Sequence, residues 1–175
     1  MKDFVQLHHF LGVTVEPRPS GLFLHQRKYA LDILERAGMT DCKPCSTLVD
    51  TQAKLSADLG DPVADPTGYR SLAGALQYLT FTRPDLTYAV QQVCLHMHDP
   101  RESHLAALKR LLCYIRGTTG FGLVLHRSPT SELVVYTDAD WAGCPDTRRT
   151  TFVYAVFLGG NLVVQAAAGC LPLQC

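Results

Sequence analysis

The stretch Val134–Gly143, VVYTDADWAG, decides how the second half of this chain is understood. Val134, Val135, Tyr136 and Thr137 form a run of strand-favouring residues. The run ends in Asp138 and Asp140, separated by one residue, and then in the chain's only tryptophan, Trp141. Side chains alternate along a strand, so Asp138 and Asp140 share a face. Asp138 follows directly on the apolar run, which predicts a carboxylate fixed in position and partly buried. A rigid strand carrying a carboxylate in this way suits a two-metal site, where hard divalent cations are held by oxygen ligands. One carboxylate does not make such a site, because several must converge from different elements. No Asp or Glu occurs in residues 147–175. Further ligands would come from Asp140, from Asp146, from upstream or from another chain. On the residues alone, an acidic strand end running into a turn remains the alternative.

Upstream of this stretch the pattern is mixed. Phe10 to Gln26, FLGVTVEPRPSGLFLHQ, predicts a β-hairpin, with two β-rich runs flanking Pro17, Pro19, Ser20 and Gly21. A helix is predicted over about Gln26 to Ala37, where Tyr29, Ala30, Ile33, Leu34 and Ala37 recur at helical spacing and Gly38 stands at the C-cap position. Residues 40–68 hold three prolines and five aspartates with no sustained period, which predicts a long connecting loop. Three helices follow. The first covers about Tyr69 to Phe81, with Leu72, Leu76 and Leu79 in one stripe. The second opens at Pro84 and carries Leu86, Val90, Val93 and Met97. The third is predicted to open with Asp99 as N-cap, Pro100 as first residue and Glu102 at the capping-box position, and to bury Leu105, Leu108, Leu112 and Ile115 before ending at Gly117.

Beyond Gly117 the period becomes strand-like. Residues 121–127 and 132–140 are predicted strands joined across a Ser-Pro turn; 150–160 is another, closed by Gly159, Gly160 and Asn161, and 161–165 starts a third. The expected class is α+β: a β-hairpin, a helical middle, then an antiparallel meander beginning near residue 121. The corresponding divisions are 1–39, a loop at 40–68, helices over 69–120, strands over 121–165 and a tail at 166–175.

The bulk numbers bound the function. Charged residues are 18% of the 175, below the roughly 25% usual for a free-standing domain, which suggests a piece of something larger with a face for a partner. Lys plus Arg equals Asp plus Glu, at 16 each, so any nucleic-acid contact must come from local patches rather than a global basic field. Arg27 and Lys28 at the first helix, and Arg101, Lys109, Arg110 and Arg116 on the third, are residue types that contact phosphates; a solvated face is the alternative. No apolar run is long enough to span a membrane, and the N-terminal MKDFVQLHHF has no signal-peptide character. Seven irregularly spaced cysteines argue for a reduced, intracellular chain, cytoplasmic or nuclear, rather than a secreted disulfide scaffold. Cys42-Lys43-Pro44-Cys45 is a single CxxC without a second pair, and it is assigned no metal. His96, His98 and His104 flank a helix break and are expected as surface or capping residues.

Four stretches in order, HHFLGVTVEP with GLFLHQRKYALDILERAGMTDCKPCSTL, YRSLAGALQYLTFTRPDLTYAVQQV, HLAALKRLLCYIRGTTGFGL, and VYTDADWAGCPDTRRTT with YAVFLGG, closely resemble the polyprotein of copia-type LTR retrotransposons. The resemblance covers roughly residues 3–162 and runs from the end of the reverse transcriptase into the start of the ribonuclease H domain. It implies that the hairpin at 10–26 is the last palm element, which grips the primer end. It implies that the helices at 26–37 and 69–117 are the thumb and connection that cradle an RNA–DNA duplex. It also implies that VVYTDADWAG is the first ribonuclease H strand, with Asp138, and more weakly Asp140, as a vestigial catalytic and metal ligand. The intact family uses Mg²⁺. This chain departs from the pattern. The polymerase Tyr-x-Asp-Asp motif is not among its residues. Thr151 to Tyr154 stand where the family commonly shows Ser-Gly-Tyr, and VVQAAAGCLPLQC is not the polar continuation expected. The implied function is therefore a remnant that is inactive alone and needs no cofactor of its own, or a residual binder of RNA–DNA duplex separated from its polyprotein partners.

Overall fold

The hairpin forms as its turn residues dictate and then recruits strands on both sides. In a computed structural model describing residues 8–49, 55–57, 60–127, 132–140 and 150–171, β2 (Val13–Arg18) pairs antiparallel with β3 (Gly21–His25), Thr14 opposite His25 and Arg18 opposite Gly21. A short β1 (His9–Phe10) folds back onto Val13 and Thr14. It reaches no further, so the Pro17 end of β2 lies at a sheet edge, where a residue without an N–H is tolerated.

The fourth strand of this sheet corrects the expectation for residues 121–127. β4 (Leu123–His126) pairs with β3, Leu123 opposite Leu24 and His126 opposite Gly21, and not with the strand that follows it. Two glycines make the approach possible. A Cβ on Gly21 would lie 1.9 Å from the Leu125 carbonyl oxygen, and one on Gly122 would lie 2.3 Å from that of Leu24. The meander proper is thus a separate sheet in the order β5 (Leu133–Asp140), β6 (Thr150–Leu158), β7 (Asn161–Leu171). Residues 166–171 of the expected tail are part of β7: Ala166, Ala167 and Ala168 continue the ladder opposite Tyr154, Val153 and Phe152; 172–175 lie outside the described residues. Backbone pairing needs no polar side chains, which is why an apolar, alanine-rich segment serves as a strand here.

The helices form a single core. α1 (Arg27–Arg36) buries Ala30, Ile33 and Leu34 at the spacing of one helical face and ends in a Schellman pair of bonds, Gly38 N–H to Glu35 O and Met39 N–H to Leu34 O. α2 (Pro66–Leu79) starts three residues earlier than its apolar stripe suggests, because Asp65 caps it by accepting from Gly68 N–H at 2.9 Å and Pro66 occupies the first turn. A 3₁₀ turn at Pro84–Leu86 leads into α3 (Thr87–Leu95), and α4 (Glu102–Gly117) completes the layer. Leu76, Leu79, Leu86, Val90, Val93, Leu108, Leu111, Leu112 and Ile115 are buried together with the α1 face. Each fully buried apolar side chain of this size contributes about 1.5–3 kcal/mol. Leu72, Met97 and Leu105, expected in the stripes, are only partly buried against this core.

The start of α4 also corrects the sequence expectation. Asp99 is not its cap; its carboxylate pairs with Arg101 at 2.7 Å. The helix begins at Glu102, with the Arg101 N–H donating to Nδ1 of His104 at 2.9 Å. The cause lies in the connecting segment. Val63 N–H donates to Pro100 O and Glu102 N–H to Asp61 O, with a β-bridge between Pro62 and Arg101. These bonds hold residues 100–102 extended and delay the helix. His104, expected as a surface or capping residue, takes part in this cap but is fully buried, and its Nε2 lies 2.9 Å from the Ser56 carbonyl. Since Nδ1 accepts, Nε2 donates, which defines a neutral ring in this tautomer.

Candidate functional site: an acidic edge strand and a scattered basic surface

Asp138 lies in β5 opposite Val153, and Asp140 opposite Thr151. Asp138 is exposed rather than half-buried, and its Oδ1 accepts from the Ala139 N–H next to it at 2.9 Å. The reason is the position of β5. Among the described residues it is an edge strand, paired only with β6. Its neighbours Val135 and Tyr136 point to opposite faces yet are 53% and 63% exposed, so neither face of the sheet is covered there. Tyr136 makes an edge-on contact with Phe157 across the strands, at 5.7 Å between centroids. The Asp140 side chain, Trp141 and Asp146 lie outside the described residues.

A two-metal centre would need carboxylates converging on Asp138. Among the described residues no group of three or more His, Cys, Asp or Glu side chains could hold a metal ion.

The six basic residues singled out in sequence divide into two kinds. Arg27 and Lys28, at the start of α1, and Lys109, on α4, are exposed. Arg110 and Arg116 instead fasten the connecting segment to α4. Arg110 Nη2 donates to Thr47 Oγ1 at 2.6 Å, and Arg116 Nε donates to the Thr40 carbonyl at 2.6 Å. Arg110 is half-buried in this arrangement, whereas Arg116 stays exposed. Arg101 is similarly engaged by Asp99 and by the Gly60 carbonyl.

Sequence reasoning missed Arg83. It is buried, forks onto both oxygens of Asp85 at 2.9 and 2.7 Å, and donates to the carbonyl and hydroxyl of Thr118, each at 2.9 Å. This pins the end of α4 to the α2–α3 connection. An arginine immediately before Pro-Asp was the available signal. The CxxC also has more structure around it than its spacing implied. The Cys45 N–H donates to the Cys113 carbonyl at 3.4 Å, and the Cys45 thiol lies 3.3 Å from the Thr47 and Arg110 carbonyls. Among the described residues, no helix is long and apolar enough to cross a membrane.

An α+β chain with an acidic edge strand and a basic, helical layer is the class that fold and site define. Comparison with known proteins supplies the family. The chain is 46% identical over 167 residues to the uncharacterized mitochondrial protein AtMg00810 of Arabidopsis thaliana, covering 95% of this chain and 69% of that protein. It is 47% identical over 159 residues to the retrovirus-related Pol polyprotein from transposon RE1 of the same plant, covering 91% of this chain and 11% of the polyprotein. It is 35% identical over 172 residues to the corresponding polyprotein from transposon TNT 1-94 of Nicotiana tabacum, covering 93% and 13%. The chain belongs to the retrovirus-related Pol polyprotein family of transposons, of whose full-length members it spans only a small part. No family model matches it, and no solved structure matches it.

Proposed function

We propose that the chain is a remnant of a copia-type Pol polyprotein, corresponding to the end of the reverse transcriptase and the start of the ribonuclease H domain, and that residues 1–175 alone perform neither reaction. The observation that carries this reading is Asp138. The strand whose sequence resembles the family's first ribonuclease H strand presents that carboxylate on a sheet edge that is exposed among the described residues, and no acidic residue occurs in 147–175. Both polymerisation and hybrid hydrolysis need metals clamped by several carboxylates. In the parent polyprotein the remaining ligands would come from outside these residues. Incubating the purified chain with labelled RNA–DNA hybrid and Mg²⁺ tests the reading; the expected outcome is intact RNA.

Arg27, Lys28 and Lys109 favour a second reading, residual sequence-independent binding of RNA–DNA duplex. Their exposure leaves these cations available to phosphates. Such binding weakens steeply with salt as counterion release is lost. A titration at low and moderate salt with fluorescent duplex measures it, and a flat curve at low salt rejects it.

A further inference from the structure

The free side of β5 presents an ordered row of backbone donors and acceptors. The Gly159 N–H donates to the Glu132 carbonyl at 2.7 Å, one step beyond the Leu133–Leu158 pair. Bonded and unbonded positions alternate along an antiparallel ladder, and this one runs without a shift to Asp140–Thr151. Val134, Tyr136 and Asp138 therefore bond β6, while Leu133, Val135, Thr137 and Ala139 turn their N–H and C=O outward. Ala139 shows the direction: its N–H is taken by the Asp138 carboxylate at 2.9 Å. Among the described residues no strand pairs with β5 on that side.

We propose that this edge pairs with the same edge of a second copy of the chain, antiparallel about a two-fold axis at Thr137. Under a two-fold each outward group meets an identical row running the other way, and the two sheets become one with β5 beside β5. Charge fixes the register, because like charges directly opposite one another destabilise a ladder. An axis at Val135 sets Glu132 against Asp138, and one at Tyr136 sets Glu132 against Asp140. An axis at Asp138 sets that carboxylate against itself, and one at Ala139 sets it against Asp140. An axis at Val134 leaves Thr137 and Ala139 unmatched within β5. At Thr137 no carboxylate is opposed. Thr137 meets Thr137, Val135 meets Ala139, and Val134 meets Asp140. Asp138 meets the exposed Tyr136, whose positive ring edge suits a carboxylate. Asp138 also limits the contact. The Ala139 N–H must leave that carboxylate before it bonds Val135 of the second copy, so side chain and partner strand compete for one donor.

Sedimentation equilibrium of the full chain at concentrations up to about 100 µM tests the proposal. The expected result is a monomer–dimer equilibrium. Thr137 is exposed and its backbone does not bond β6, so its side chain can be changed without touching the ladder. Thr137→Lys places two ammonium groups at the axis and is expected to weaken the dimer roughly tenfold or more, as is Thr137→Glu with two carboxylates. An equimolar mixture of the two variants is expected to regain it, which also shows that both are folded. Asp138→Ala is expected to tighten the dimer. An unmodified chain that stays monomeric at that concentration overturns the proposal whatever the variants do. So do association beyond the dimer, a dimer that Thr137→Lys leaves unchanged, and a mixture of the two variants that stays monomeric.

Discussion

The Asn161 side chain bonds both backbone polar groups of His126: its Oδ1 accepts from the His126 N–H at 2.6 Å, and its Nδ2 donates to the His126 carbonyl at 2.9 Å. An amide thereby substitutes for a strand on the free side of β4 and joins the N-terminal sheet to β7. Two neutral hydrogen bonds at a half-exposed site contribute about 1–2 kcal/mol. Asn161→Ala is expected to lower Tm by roughly 2–6 °C and to accelerate hydrogen exchange at the His126 amide while leaving the α2–α4 core protected. Unchanged exchange at His126 would show that the two sheets are coupled by other contacts.

Gly21→Ala tests the placement of β4. The added methyl would stand 1.9 Å from a backbone oxygen, so β3 and β4 must part. The expected cost is roughly 1–3 kcal/mol, read as a fall in the denaturation midpoint with an unchanged slope. A neutral substitution would mean that β4 does not pair with β3.

Lys109→Ala and Arg110→Ala, adjacent in sequence, are expected to act differently. Lys109 is exposed, so its loss should leave stability within about 0.5 kcal/mol and, where duplex binding exists, reduce its salt slope by about 1. Arg110 holds Thr47, so its loss should lower stability by about 1–2 kcal/mol through the connecting segment. Thermal melts alongside duplex titrations separate the two effects.

Alkaline pH should weaken the fold. Burial holds the Cys113 thiol up at about 11 from 9.0, and burial likewise raises the Tyr69 phenol, whose hydroxyl donates to the Val93 carbonyl at 2.7 Å. The unfolded chain releases these protons first, so above about pH 9 it binds fewer protons than the folded chain and stability falls as pH rises. Below pH 9 the contribution is fully present. Urea midpoints measured from pH 8 to 11 should decline, and Cys113→Ser should decline less steeply between 9 and 11.

The helical layer was legible in sequence because Ile33, Leu34, Leu76, Val90, Leu108 and Ile115 keep a 3.6-residue period whatever they pack against. The partner of β4 was not. Residues 121–127 announce a strand, but a strand's period says nothing about which edge it joins, and the decisive residues, Gly21 and Gly122, act by lacking a side chain. The start of α4 was misjudged for a related reason. Asp99, Pro100 and Glu102 form a good local cap, yet a hydrogen bond to the Asp61 carbonyl and one from the Val63 N–H, some forty residues away in sequence, override it. Asp138 was placed correctly on its strand, whereas its exposure depends on the absence of a covering layer among the described residues. Arg110 and Arg116 look the same in sequence as Lys109, and only the seating of Thr40 and Thr47 distinguishes them.

The central claim is that Asp138 marks an active-site strand by descent and does not make these 175 residues a nuclease. The direct measurement is RNA release from a labelled RNA–DNA hybrid by purified chain in Mg²⁺, with Asp138→Asn in parallel. The account predicts no cleavage above background by either protein. Mg²⁺-dependent cleavage by the unmodified chain that Asp138→Asn abolishes would contradict it.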